Sequence, residues 1–273
     1  MVYYKIWPQI WAPSPITRYF FELKSRSRQR SGYNQQLPNS SYTWSIKPTS
    51  CRPQNLGHEA LASLEATGYI GVRVMQGGHH ETISTITQNV DILHSKGGMK
   101  HVLHLHGIGN IVRCMKCGIT RDRNEFHDLF EFNQNWIERT SGKRDKDNLR
   151  PDGDAELSVD SYDEFILPGC ETCGDSEIMK TDVVFFGDSI PRDRVDLANA
   201  AVDAADGLLC IGTSLAVHSA FRLVKRASEK GIPVAILNVG RTRAEKEQLE
   251  VTKIESPIGE TLHALLNILE RKK

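Results

Sequence analysis

Gly207-Leu208-Leu209-Cys210-Ile211-Gly212-Thr213-Ser214-Leu215 decides the fold. Gly207–Ile211 is apolar without alternation, the pattern of a strand covered on both faces. A glycine and two hydroxyl residues follow it directly. Working outward, Val195–Ala204 reads as a helix. Ser219 can cap a second helix running to Lys230, and Gly231 stops it. Val234–Leu237 is another buried strand, Gly259–Glu270 a closing helix, and Val183–Phe186 a buried strand upstream. This alternation predicts an α/β fold with a doubly wound parallel, Rossmann-like sheet.

Toward the N-terminus the signals weaken. Residues 57–67 read as a helix in which Leu61 and Leu64 share a face and Gly68 caps the end. Residues 71–84 carry Gly71, Gly77, Gly78, His79 and His80 and read as an exposed loop. Ile83–Gln88 and Val102–Leu105 are strand candidates. Asp122–Trp136 reads as helical and Lys143–Asp154 as a charged loop. Residues 1–54 have no clean period and are expected to be irregular, with one short helix near Thr17–Leu23.

Bulk composition excludes some functions. The 273 residues carry 34 Lys+Arg against 34 Asp+Glu, so no general electrostatic pull toward nucleic acid exists. No apolar stretch is long enough to span a bilayer. The first thirty residues hold Lys5, Arg18, Lys24, Arg26, Arg28 and Arg30 against Glu22 alone. That bias is weakly like a mitochondrial transit peptide, set against the plainer reading of a solvated tail.

The cysteines give the sharpest chemical signal. Four of the six form two pairs, Cys114/Cys117 and Cys170/Cys173, each followed by a glycine. Two C-x-x-C knuckles supply four thiolates, the donor set of a closed, structural Zn2+ site. At strand ends lie further candidates. Gly212, Thr213 and Ser214 are placed to meet a phosphate or ribose, as is Asn238 after the next strand. Thr87-Gln88-Asn89-Val90-Asp91 closes the Ile83–Gln88 strand. His104 and His106 flank Leu105; one is expected to pack and the other to face a cleft.

In order and spacing these motifs resemble the sirtuin family: Thr87-Gln88-Asn89-Val90-Asp91, Leu93-His94, Leu105-His106-Gly107, the Cys pairs, Val183–Gly187, Gly212–Leu215 and Asn238. Arg150-Pro151-Asp152-Gly153-Asp154, Phe186-Gly187-Asp188 and Gly240-Arg241-Thr242-Arg243 resemble the class II, mitochondrial-type members. The resemblance implies an NAD-dependent protein-lysine deacylase, with ADP-ribosyl transfer as related chemistry. Its partner would be an acylated-lysine protein or peptide, with no nucleic acid and no membrane, in the mitochondrial matrix or alternatively the cytoplasm. The acyl amide oxygen would attack the ribose carbon that bears nicotinamide, with His106 as general base. Gln88, Asn89 and Asp91 would line the ribose and nicotinamide side. Gly212, Thr213, Ser214, Asn238 and Gly240 would hold the adenosine and phosphates, and Ile258 the adenine. The substrate would add as a strand between Val184–Gly187 and Leu215–His218.

The chain departs from the family at its start. Residues 1–50 supply neither the Gly-Ala-Gly-x-Ser phosphate loop nor the loop over nicotinamide, so the sheet is expected to lack its first strand. The expected division is 1–54 irregular, 55–111 with 179–273 Rossmann-like, and 112–178 zinc-binding. Two readings stand: the enzyme, and a non-catalytic, zinc-stabilised remnant that at most binds a protein.

Overall fold

The computed structural model describes residues 55–129, 166, 168–175, 177–185 and 187–271. These fall into two compact units, 55–107 with 187–271, and 108–185. The short helix expected near Thr17–Leu23, the Lys143–Asp154 loop and the Arg150–Asp154 motif lie outside the described residues.

The first unit opens with α1 (Leu56–Ala66). Asn55 caps it by accepting from the Gly57 and His58 N–H groups, and His58 reaches back to the Asn55 N–H. Gly68 follows at φ +78, the left-handed exit that an L side chain resists. Leu61 and Leu64 are buried with Leu262 and Leu266 of α7 (Ile258–Glu270). Each such leucine contributes about 2 kcal/mol of transfer free energy.

Residues 71–84, expected as a loop, instead fold as a hairpin. β1 (Val72–Gln76) pairs antiparallel with β2 (His79–Ile83), with Val72 opposite Ile83 and Gln76 opposite His79. The two-residue loop is Gly77-Gly78 at φ +57 and +83, the doubly left-handed turn that matches strand twist. Val74 and Ile83 bury against the core. The Glu65 carboxylate fastens its end, accepting from the Ser84 hydroxyl and from the Lys100 and His101 N–H groups.

β3 (Thr85–Thr87) and β4 (Val102–His104) form a parallel pair, linked through the short α2 (Leu93–Lys96). The expected strand at Ile83–Gln88 is thus split, because Ile83 belongs to the hairpin and Ser84 turns the chain. After α4 (Arg192–Asp203) come β8 (Leu208–Ile211), α5 (His218–Glu229), β9 (Val234–Leu237), α6 (Arg243–Lys246) and β10 (Thr252–Ile254). β8, β9 and β10 are parallel in that order.

Residues along the strands alternate between two cores. Leu208, Cys210, Val234, Ile236 and Ile86 join the cluster that holds Ala198 of α4 and Phe221 of α5. Ile211 and Leu237 join the α1/α7 cluster. Helices therefore cover both faces, as the unalternating apolar strands predicted. Among the described residues the parallel strands form two ladders, β3–β4 and β8–β9–β10, with no strand pairing one to the other.

The second unit holds a three-stranded sheet. β5 (Gly107–Cys114), which begins at the boundary, pairs antiparallel with β6 (Thr120–Asp122), and β7 (Met179–Val183) lies on its other side. The buried strand expected at Val183–Phe186 is thus displaced to Met179–Val183 and belongs here. It alternates: Met179 and Thr181 are buried, while Asp182 pairs with Arg113 at 3.1 Å. Asp122 caps α3 (Arg123–Asp128), the described part of the predicted Asp122–Trp136 helix.

Candidate functional site

The four cysteines converge within the second unit. Cys114 ends β5 and Cys117 follows in the turn; Cys170 and Cys173 sit in a matching turn closed by a Cys170–Gly174 bridge. Their four Sγ atoms lie within 4.8 Å of one another, and Cys117 to Cys170 is 3.7 Å. A tetrahedral zinc with bonds of about 2.3 Å sets its sulfurs about 3.8 Å apart, so the donor set fits. The Cys117 and Lys116 N–H groups point at Cys114 Sγ and help hold its thiol down to about 6. Cys173 is pushed up to about 12, first by its contact with Cys117. Four thiols this close need a central cation before all can ionise. The turn also requires Gly169, where a Cβ would lie 2.2 Å from Asp175 Cα.

The second constellation lies at strand ends in the first unit. Thr87 faces His104 in the β3–β4 register, so Gln88 and Asn89 emerge beside the chain leading to His106. His104 is buried, its Nδ1 3.4 Å from the Asn89 carbonyl. His106 is the less buried of the two, and its Nε2 lies 3.0 Å from Ser219 Oγ. The Gln88 side-chain amide reaches the same hydroxyl at 3.4 Å. Burial lowers the His106 pKa, a hydrogen bond with the Gln88 backbone opposes that, and the Arg194 guanidinium adds to the lowering. The ring is therefore neutral and able to accept a proton near neutral pH.

Ser219 corrects the sequence reading. It does not cap α5, whose N-cap is Val217; it sits inside the first turn with its hydroxyl committed to His106 and Gln88. No local signal shows this, because the contact spans 113 positions.

The Asp91 carboxylate accepts from the Leu93 N–H at 3.1 Å, at the start of α2. Asn89 N–H bonds the Thr87 hydroxyl at 3.2 Å.

Ile211 pairs with Leu237, so Gly212 and Asn238 leave adjacent strands side by side. Gly212 turns at φ +59, and its N–H bonds the Leu237 carbonyl. The Thr213 hydroxyl accepts from the Leu215 N–H at 3.0 Å, and the Ser214 backbone carbonyl accepts from the Arg243 N–H at 2.9 Å. Leu215 holds φ +55 with a buried side chain, a strained backbone over-determined by its packing. Asn238 donates to the Val239 and Gly240 carbonyls, and Gly240 N–H bonds Glu255. Ile258 opens α7 and packs against the α1/α7 core. The structure thus joins Gln88 and His106 through Ser219, sets Asn89 beside His104, and brings Gly212 and Asn238 to adjacent strand ends, with Ser214 and Gly240 following.

These donors are amides, hydroxyls and backbone groups around one neutral imidazole, suited to a sugar-bearing ligand rather than a bare charge. A Cβ at Gly240 would meet nothing within 4 Å, so a ligand can approach the backbone there.

Residues 24–219 match the Sir2 family. An NAD-dependent protein deacetylase of Xanthomonas campestris pv. campestris is 38% identical over 251 residues, covering 92% of this chain and 76% of that protein. NAD-dependent protein deacetylase 2 of Bradyrhizobium diazoefficiens is 41% identical over 213 residues, covering 78% and 70%. A solved Sir2–p53 peptide–NAD+ complex shares the fold with TM-score 0.59 at 20% identity, over 97% of this chain and 91% of that one.

Proposed function

The chain belongs to the Sir2 family, and on that premise we propose that it is an NAD-dependent protein-lysine deacylase acting on acylated-lysine proteins or peptides. The observation that carries this reading is the His106 imidazole, held at the strand ends with its Nε2 3.0 Å from the Ser219 hydroxyl. Bound NAD would supply an electrophilic ribose carbon with nicotinamide as leaving group, and a ribose hydroxyl to take the acyl group as water enters and the lysine amine leaves. His106 Nε2 takes the proton of a ribose hydroxyl as that oxygen becomes a nucleophile. Gln88 and Asn89 line the same strand end and orient the ribose and nicotinamide. Asp91, whose carboxylate also accepts from the Leu93 N–H, is the acidic member of that side. Gly212, Ser214, Asn238 and Gly240 form the adenosine side, where backbone approach matters more than charge. Ile258 is the candidate adenine contact.

The four thiolates are positioned to hold one structural zinc, which would tie their two turns together without entering the chemistry. We assign the chain to the mitochondrial matrix on its resemblance to class II members, with the cytoplasm as the alternative. A fluorescent fusion of the full chain that stays in the cytoplasm overturns that assignment.

Calorimetric NAD titration of the zinc-loaded chain tests the central reading. Saturable binding is expected, together with NAD-dependent deacylation that His106→Ala lowers by about 10²–10⁴-fold while binding persists. A folded, zinc-containing chain that binds no NAD refutes the enzyme reading and leaves a non-catalytic zinc-stabilised protein.

A further inference from the structure

His106 stands on a turn: β4 ends at His104, and Gly107 follows at φ +83. A general base in such a segment must be oriented by something more rigid. Ser219 belongs to α5, anchored by Ala220, Phe221, Leu223, Val224 and Ala227, all buried. Its hydroxyl caps nothing in its own helix and instead bridges His106 Nε2 at 3.0 Å and Gln88 Nε2 at 3.4 Å.

A hydroxyl has one proton and two lone pairs. The Gln88 amide donates to it, which leaves its proton for Nε2. The His106 hydrogen bond with the Gln88 backbone then fits the other ring nitrogen, donating to the Gln88 carbonyl. Gln88 thus grips the ring from both sides, directly through its carbonyl and through Ser219 from its amide. This loop selects the tautomer whose lone pair is at Nε2, the form a base must have. The charge that acts on the ring is Arg194 of α4, which like burial disfavours the imidazolium; the sequence neighbour of Ser219 on α5 is His218.

Resting on the deacylase reading, we propose that Ser219 is the positioning residue for His106: its hydroxyl orients the imidazole and holds Nε2 until the ribose hydroxyl replaces it. Ser219 touches neither substrate nor cofactor in this role. The ribose hydroxyl donates to the same nitrogen, so ligand binding exchanges one donor for another at little cost.

The test uses the full, zinc-loaded chain as wild type, Ser219→Ala and Ser219→Thr, with His106→Ala to assign the ring signal. Histidine ring titration by NMR reads His106 without requiring turnover. Removing the donor to Nε2 takes away stabilisation of the neutral ring, so its pKa rises in Ser219→Ala by roughly 0.5–1 unit, the worth of one neutral hydrogen bond. In the active enzyme the acid limb of kcat/KM for NAD moves up equally and kcat falls by about tenfold. Ser219→Thr restores both. A folded Ser219→Ala chain with an unmoved His106 titration and an unmoved acid limb overturns the proposal. A shifted ring in a chain without turnover supports the Ser219–His106 contact and overturns only the deacylase reading.

Discussion

Lowering the pH from about 7.5 to about 5 should remove about 2 kcal/mol of stability through one residue, His94. Its side chain is fully buried, and its ring meets that of His58 edge-on at a centroid distance of 5.1 Å. Burial, then the neighbouring His58 and His104, holds the His94 pKa down to about 3. An unfolded histidine titrates near 6.5. Between those values the unfolded chain takes up a proton that the folded chain refuses. Stability is therefore fully present above about pH 6.5 and is lost as pH falls toward about 3. The descent from about 6.5 to about 5 covers about 1.5 units at about 1.36 kcal/mol each, or about 2 kcal/mol. His58 is also lowered by burial, partly offset by Asp91 and Glu59, and adds in the same direction. Urea unfolding at fixed zinc and several pH values measures the effect. Zinc loss in acid would steepen the curve too, so the decisive quantity is the difference between wild type and the non-titrating His94→Gln. The wild type should lose about 2 kcal/mol more across this window. Equal pH slopes in the two proteins would refute the account of a buried neutral His94.

Other perturbations test other parts. Cys114→Ser should abolish the single bound zinc seen by metal analysis and expose the 108–185 unit to proteolysis, because the closed site needs all four thiolates. Leu61→Ala, in the fully buried α1/α7 seam, should cost about 2–5 kcal/mol in chemical unfolding. Gly231→Ala should cost about 1–2 kcal/mol, wholly from φ +70, since a Cβ there meets nothing within 4 Å.

The zinc centre was legible because cysteine spacing is local: two residues between thiols place both in one turn whatever surrounds it. β9 was legible to the residue, and β8 nearly so, because burial on both faces erases alternation. The same rule misled at Val183–Phe186, where Val183, Val184 and Phe185 are only half-buried and the ladder with β5 lies upstream. The hairpin carried a readable signal, Gly77-Gly78 between Val72/Val74 and Thr82/Ile83, but five glycines and histidines read as loop composition instead.

By itself the sequence determined the α/β class, the zinc ligands and the strand-end motifs that mark the family. Each depends on periodicity or spacing over a few residues, where covalent geometry limits the choices. Only the tertiary structure decided what each polar side chain does. Asp91 accepts from a backbone N–H two residues on, Thr213 does the same in its own turn, and Ser219 meets a histidine 113 positions away. A hydroxyl or carboxylate can satisfy its hydrogen bonds in many ways. Which partner it takes is settled by the packing that brings distant backbone segments within about 3 Å.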